Sequence, residues 1–168
     1  DRQGFVDWAL DSASVFGLEE SVTPAMSVSA EERERIYERA WRKGGGFGFM
    51  LETFGDIIVS KEANQTATDF IRAKIRAIVK DPALAAKLSP QDLYAKRPLA
   101  VDGYYETFNR ANVRLVDVKA APIVAITANG IRTTAEDIAV DVIIFATGFD
   151  AVTGNYLKIE TIGRNGRR

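Results

Sequence analysis

The run Asp141-Val142-Ile143-Ile144-Phe145-Ala146-Thr147-Gly148-Phe149-Asp150 sets the tightest limit on what this chain can fold into. Val142 to Phe145 are apolar without interruption, whereas a strand with one wet face would alternate. The pattern therefore predicts a strand over 141–146 that is covered on both faces. Such strands belong to α/β sheets. At its carboxyl end Ala146, Thr147 and Gly148 are small enough to let a ligand approach the backbone. Open α/β sheets take ligands just beyond the carboxyl ends of their strands. A core strand closed by a glycine turn is the plainer reading of the same residues, and at this point both stand.

Composition matters mainly for the chemistry it removes. The 168 residues are 46% apolar, which is ordinary for a globular chain with room for one domain or two small pieces. Lys and Arg total 22 against 23 Asp and Glu, so the charge of −1 makes no electrostatic case for nucleic acid or an anionic membrane. There is no cysteine and no histidine. Disulfides, thiolate metal sites, Ser-His and Cys-His nucleophiles and most zinc sites are thereby excluded, and no metal site is expected. No apolar run approaches the ~20 residues that span a bilayer. The expectation is a soluble, cytoplasmic protein.

Two halves differ in character, with the change near residues 95–103. In the first, Ser29-Ala30-Glu31-Glu32 has the capping-box pattern, with Ser29 accepting from a free backbone N–H and Glu32 reaching back to the cap. A helix is predicted from Ala30, with Ile36, Tyr37, Ala40 and Trp41 as its apolar stripe and Gly44 to Gly46 as its stop. Phe47 to Ile58 reads as a second, buried helix. Glu62 to Lys80 places Phe70, Ile71, Ile75, Ile78 and Val79 on one helical face, and Asp81-Pro82 opens a short helix with Pro82 at its first position. Ser89-Pro90-Gln91-Asp92 reads as another such start. In the second half, 112–118 and 122–127 read as strands, and Asn129-Gly130 as a hairpin turn into 131–134, ahead of the strand over 141–146.

No Gly-x-Gly-x-x-Gly follows a predicted strand, although that loop is what cradles a dinucleotide pyrophosphate. A parallel strand at 141–146 also needs neighbours and crossovers that the sequence does not supply. The expectation is an internal piece of a longer enzyme.

Three motifs in order, Lys96-Arg97-Pro98-Leu99, Gly103-Tyr104-Tyr105-Glu106-Thr107-Phe108-Asn109-Arg110 and Ala146-Thr147-Gly148-Phe149-Asp150-Ala151, resemble flavin-dependent Baeyer–Villiger monooxygenases of the cyclohexanone monooxygenase type. The likeness extends to Met26-Ser27-Val28-Ser29 and Lys43-Gly44-Gly45-Gly46-Phe47. Relatives usually carry an acid where this chain has Ala111, which touches only a local turn contact. The resemblance implies an α/β fold: a helical insertion (1–95), then an active-site loop and the second half of a Rossmann-like NADPH-binding domain (96–148), then a crossover to the FAD domain (149–168). It implies FAD and NADPH as cofactors, and a ketone and dioxygen as substrates. No nucleic acid or membrane is implied as a partner.

By the same matching, Arg97 is the active-site arginine, a permanent cation suited to an anionic oxidant and the tetrahedral adduct it forms. Lys96 is the residue that meets the 2′-phosphate of NADPH, and Ala146, Thr147 and Gly148 line the cofactor. Apart from the resemblance, adjacent basic residues in a loop are ordinarily just solvated. Pro98 biases Arg97 to extended backbone, which would send the Lys96 and Arg97 side chains to opposite sides. Tyr104, Tyr105 and Phe108 are expected to pack rather than to react. Two rivals remain, a flavin monooxygenase that hydroxylates nitrogen or sulfur, and a helical and β interaction module without activity. The piece alone is expected to be inactive and to bind neither cofactor tightly.

Overall fold

The computed structural model describes residues 2–11, 17–94, 96, 98, 101–150 and 153–167. The chain divides into two compact units, Asp1–Leu115 and Val116–Arg168.

In the first unit, α1 (Arg2–Asp11) buries none of its residues. A 3-10 turn (Ala25–Ser27) leads to α2 (Ala30–Lys43), where Ser29 Oγ accepts from the Glu32 N–H at 3.2 Å. The cap is as expected, but the return bond is not. The Glu32 carboxylate instead accepts from Arg35 Nε and Nη2 at 2.7 and 2.6 Å. A fork of two charge-assisted bonds outcompetes a single bond to a backbone amide, and it holds the Glu32 carboxyl below its usual pKa. At its other end α2 stops on Gly44, whose φ of 77° and ψ of 176° form a conformation essentially open to glycine alone.

The expected helix over 47–58 is shorter: α3 spans Gly46–Glu52. Beyond it the backbone turns to pair with the segment before α2, with Ser21 N–H donating to Leu51 O at 2.9 Å and Gly55 N–H to Thr23 O at 3.1 Å. Thr53 Oγ1 donates back to Phe49 O at 2.7 Å, closing the last turn. Phe54 and Ile57 stay buried, while Ile58 turns outward.

Next comes α4 (Lys61–Ile78), capped by Ser60, and then α5 (Pro82–Leu88), where Asp81 Oδ1 accepts from the Ala83 and Leu84 N–H groups. Ser89-Pro90 does not open a further helix. Ser89 Oγ donates to Ala85 O at 2.8 Å, so it closes α5 instead. A single turn, α6 (Tyr104–Thr107), follows, and Asn109 just beyond it caps the end of α4. Its Nδ2 donates to Ile78 O and its Oδ1 accepts from Lys80 N–H, both at 2.8 Å.

The core is an aromatic cluster. Tyr37, 1% exposed, stacks on Phe49 with ring centroids 5.3 Å apart, meets Phe54 edge-on at 5.2 Å and leans on Phe70 at 5.3 Å. Such pairs add about 1 kcal/mol each beyond the area they bury. Ala63 and Ala67 on α4 let the helices approach, and Ile36, Ala40 and Trp41 pack on the cluster as the expected stripe. A second cluster joins Ile75, Val79 and Ala85 with Ile71, Leu84, Leu88 and Tyr105.

The second unit holds an antiparallel meander of β1 (Ile123–Thr127), β2 (Gly130–Thr133) and β3 (Asp137–Ala139). A hairpin forms as expected, but its turn is Ala128-Asn129, with Thr127 opposite Gly130, one position earlier than the Asn129-Gly130 turn the sequence suggests. On β2 and β3, the register partners Arg132 and Asp137 form a two-pronged ion pair at 2.6 and 3.1 Å.

Two expected strands are absent. Residues 112–118 run from a turn through irregular chain into the next turn, which starts at Val118. Residues 141–146 join no ladder among the described residues, and Ile144 and Phe145 are 85% and 69% exposed rather than buried. A strand is a property of two chain segments, so an apolar run sets its potential but cannot supply the partner. The architecture is thus mixed helix and sheet, with no parallel pairing among the described residues. After it come the short α7 (Gly154–Leu157) and a 3-10 turn (Arg164–Gly166).

Candidate functional site

Lys96 and Pro98 lie between α5 and α6 in the chain, and the first unit grips the described residues of this stretch at three places. Arg72 on α4 donates from Nε and Nη2 to Pro90 O, at 3.0 and 2.8 Å. Asn64, one helical face away and 3% exposed, makes two bonds to the backbone of one residue: Nδ2 donates to Tyr94 O, and Oδ1 accepts from Tyr94 N–H, both at 2.8 Å. The Tyr94 ring meets Phe49 edge-on at 5.7 Å, and its hydroxyl donates to Gly46 O at 3.1 Å. Burial pushes the Tyr94 phenol up to about 12, so it remains a donor throughout the neutral range. Finally, Pro98 lies so close to Gly46 that a Cβ there would come within 2.5 Å of Pro98 Cβ.

Lys96, between the second and third grips, is well exposed, and its Nζ pairs with Asp92 Oδ2 at 2.9 Å. Such a surface pair is worth little and exchanges readily for a better anion. It lines a shallow cleft of about 230 Å³ along the stretch, with Pro90, Leu93, Tyr94 and Pro98 among its other walls. Arg97 lies outside the described residues, and with it the expected divergence of the two basic side chains.

In the second unit, Ala146, Thr147 and Gly148 are exposed on unpaired chain. Gly148 has φ 84°, and a Cβ there would meet nothing within 4 Å, so its backbone is open to a ligand. Taken separately, an exposed lysine ammonium is a partner for a phosphate, and so is an unobstructed glycine backbone. Among the described residues no cluster of three or more Asp, Glu, His or Cys could hold a metal. No described helix is long and apolar enough to cross a membrane.

Tyr104 and Phe108 stack edge-on at 5.3 Å, and Tyr105 packs in the second cluster, which agrees with the packing role expected of them. The Asn64, Arg72 and Gly46 grips are what sequence reasoning missed. Asn64 and Tyr94 are 30 positions apart, and no local pattern links them. The one available signal was an Asn facing inward on the apolar side of α4, where a polar residue must find partners.

The chain is 61% identical over 160 residues to a cyclohexanone 1,2-monooxygenase of Acinetobacter sp., covering 95% of this chain and 30% of that protein. It is 57% identical over 157 residues to a Baeyer–Villiger monooxygenase of Pseudooceanicola batsensis, covering 93% and 29%. It is also 52% identical over 161 residues to phenazine N-monooxygenase of Lysobacter antibioticus, covering 95% and 30%. The crystal structure of cyclohexanone monooxygenase from Rhodococcus sp. Phi1 bound to NADP+ superposes with a TM-score of 0.92 at 54% identity, over 99% of this chain and 32% of that one. No family model matches the chain. In fold and in sequence the chain matches one segment of these monooxygenases. Over nearly its whole length the chain is a homologue of Baeyer–Villiger monooxygenases of the cyclohexanone monooxygenase type. It spans about 30% of the length of the relatives it matches.

Proposed function

We propose that this chain is part of an FAD-dependent, NADPH-consuming Baeyer–Villiger monooxygenase that inserts one oxygen atom of dioxygen beside a ketone carbonyl, giving an ester or lactone. The observation that carries the reading is 61% identity with a cyclohexanone monooxygenase across 95% of the chain. Residues 1–95 serve as the helical subdomain, 96–148 as the active-site loop and second half of a Rossmann-like NADPH domain, and 149–168 as the crossover to the FAD domain. In this reading the exposed run over 141–146 pairs within the NADPH sheet of the whole enzyme, which would give its apolar residues the cover they lack in the chain alone.

The bound flavin supplies the activation of dioxygen, after reduction by NADPH. The work of this chain's own residues is electrostatic. Arg97 holds negative charge at the reacting oxygen, because a guanidinium keeps its proton at any working pH. Lys96 meets the 2′-phosphate as a point charge, leaving Asp92 to do so, and this favours NADPH over NADH. Ala146, Thr147 and Gly148 form the floor beneath the dinucleotide. A cysteine-free chain that consumes NADPH suits the cytoplasm.

The test is turnover of a ketone panel by the full-length enzyme with NADPH consumption followed, alongside Arg97→Ala. The variant is expected to reduce its flavin normally and to lose ester formation by about 100-fold or more. Ester formation at the parental rate would remove Arg97 from its role. A second reading, oxygenation of an aromatic nitrogen, is favoured by the 52% identity with phenazine N-monooxygenase. An enzyme that yields N-oxide from a phenazine and no ester from any ketone would replace the first reading with this one.

A further inference from the structure

The three grips suggest a division of labour within the loop. A chain reaches at most about 3.5 Å per residue, so position 96 lies within about 7 Å of each of the gripped positions 94 and 98. Among the described residues Lys96 bonds only to Asp92, within its own loop, and to no helix side chain. What the helices direct is the backbone on either side. The Asn64 amide has two donors and two acceptor sites, and all are used: Ile57 O at 2.9 Å, Tyr94 O and N–H at 2.8 Å, and the Thr68 hydroxyl at 3.3 Å. An amide so saturated cannot rotate without losing buried bonds. Gly46 acts from the other side by omission, since any side chain there would displace Pro98.

We propose that Asn64 and Gly46 are positioning residues for cofactor choice, holding the loop so that Lys96 presents its ammonium where the 2′-phosphate of NADPH must lie. The inference rests on the proposed function. It goes beyond it in assigning the NADPH preference to two helical-subdomain residues that touch no ligand.

The experiment measures equilibrium dissociation constants of NADP+ and NAD+ for the full-length enzyme and for Gly46→Ala, Asn64→Ala and Lys96→Ala, with flavin content as the check on folding. Gly46→Ala and Asn64→Ala are expected to weaken NADP+ by about tenfold, the scale of one lost charge-assisted hydrogen bond, and to leave NAD+ nearly unchanged. Added to Lys96→Ala, neither should weaken NADP+ further, because both act through the lysine. If Asn64→Ala fails to hold flavin, Gly46→Ala decides. A Gly46→Ala enzyme that holds flavin and keeps the parental preference overturns the inference alone, as do losses that add in full to that of Lys96→Ala. A preference that survives Lys96→Ala overturns the assignment of Lys96, and the inference with it.

Discussion

The helical unit and the sheet unit treat their apolar residues in opposite ways. The first packs Trp41, Phe49, Phe54, Phe70 and Tyr94 into one cluster with Tyr37 and leaves no buried side-chain polar atom unsatisfied among the described residues. The second displays Val142, Ile144, Phe145 and Phe149 to solvent, although their composition is that of a core. The lesson is that helices satisfy their own backbone and need only one another's faces, whereas strand-forming chain needs a neighbour for each backbone group. A helical subdomain can therefore finish inside a stretch of sequence where a sheet cannot.

The sharpest way to break the contrast is a pair of truncations, read by chemical denaturation of this chain. Phe54→Ala, at a site 1% exposed and in contact with Tyr37, is expected to cost about 4 kcal/mol. Phe145→Ala should stay within about 0.5 kcal/mol, because no packing is there to lose. Comparable losses at both sites would mean that the second unit has a core of its own.

A smaller effect lies in the alkaline range. Tyr94 has its phenol raised by burial from its ordinary value near 10 to about 12. The folded chain therefore holds a proton that the unfolded chain releases first. The stabilisation is complete below about pH 10 and is lost as pH rises towards 12, by up to about 2 kcal/mol. Denaturation midpoints of the parent and Tyr94→Phe across that window should converge, since phenylalanine has nothing to ionise. Parallel curves would show that Tyr94 ionises freely in the folded chain. Next in size, Ser29→Ala removes the side-chain cap of α2 and is expected to cost about 1 kcal/mol, measured in the same way.

What could be read from the sequence follows the same divide. The starts of α2 and α5 were legible because their signals, Ser29 with its cap bond and Asp81 before Pro82, lie within one turn of what they govern. The β1–β2 hairpin was legible for the same reason. The strands at 112–118 and 141–146 were not, because the apolar pattern is blind to whether a partner is present. Phe47 to Ile58 misled because pairing with residues 21–23, some 30 positions away, ended the helix after Glu52. Lys96 and Arg97 were singled out only by resemblance, since basic residues in a loop carry no signature of their own, whereas Ala146, Thr147 and Gly148 stood out as small residues at the end of an expected strand. The grips on the loop were not reachable at all, being agreements between distant residues.

Asn64 stands in for the edge of a sheet. Its amide offers Tyr94 one donor and one acceptor, as an adjacent strand would, yet it comes from a helix. Both bonds end on main-chain atoms, so the anchor does not read the side chains of the loop it holds. The loop is consequently free to vary in sequence around a fixed point, and a lineage could exchange the residues beside position 94 while inheriting the same frame.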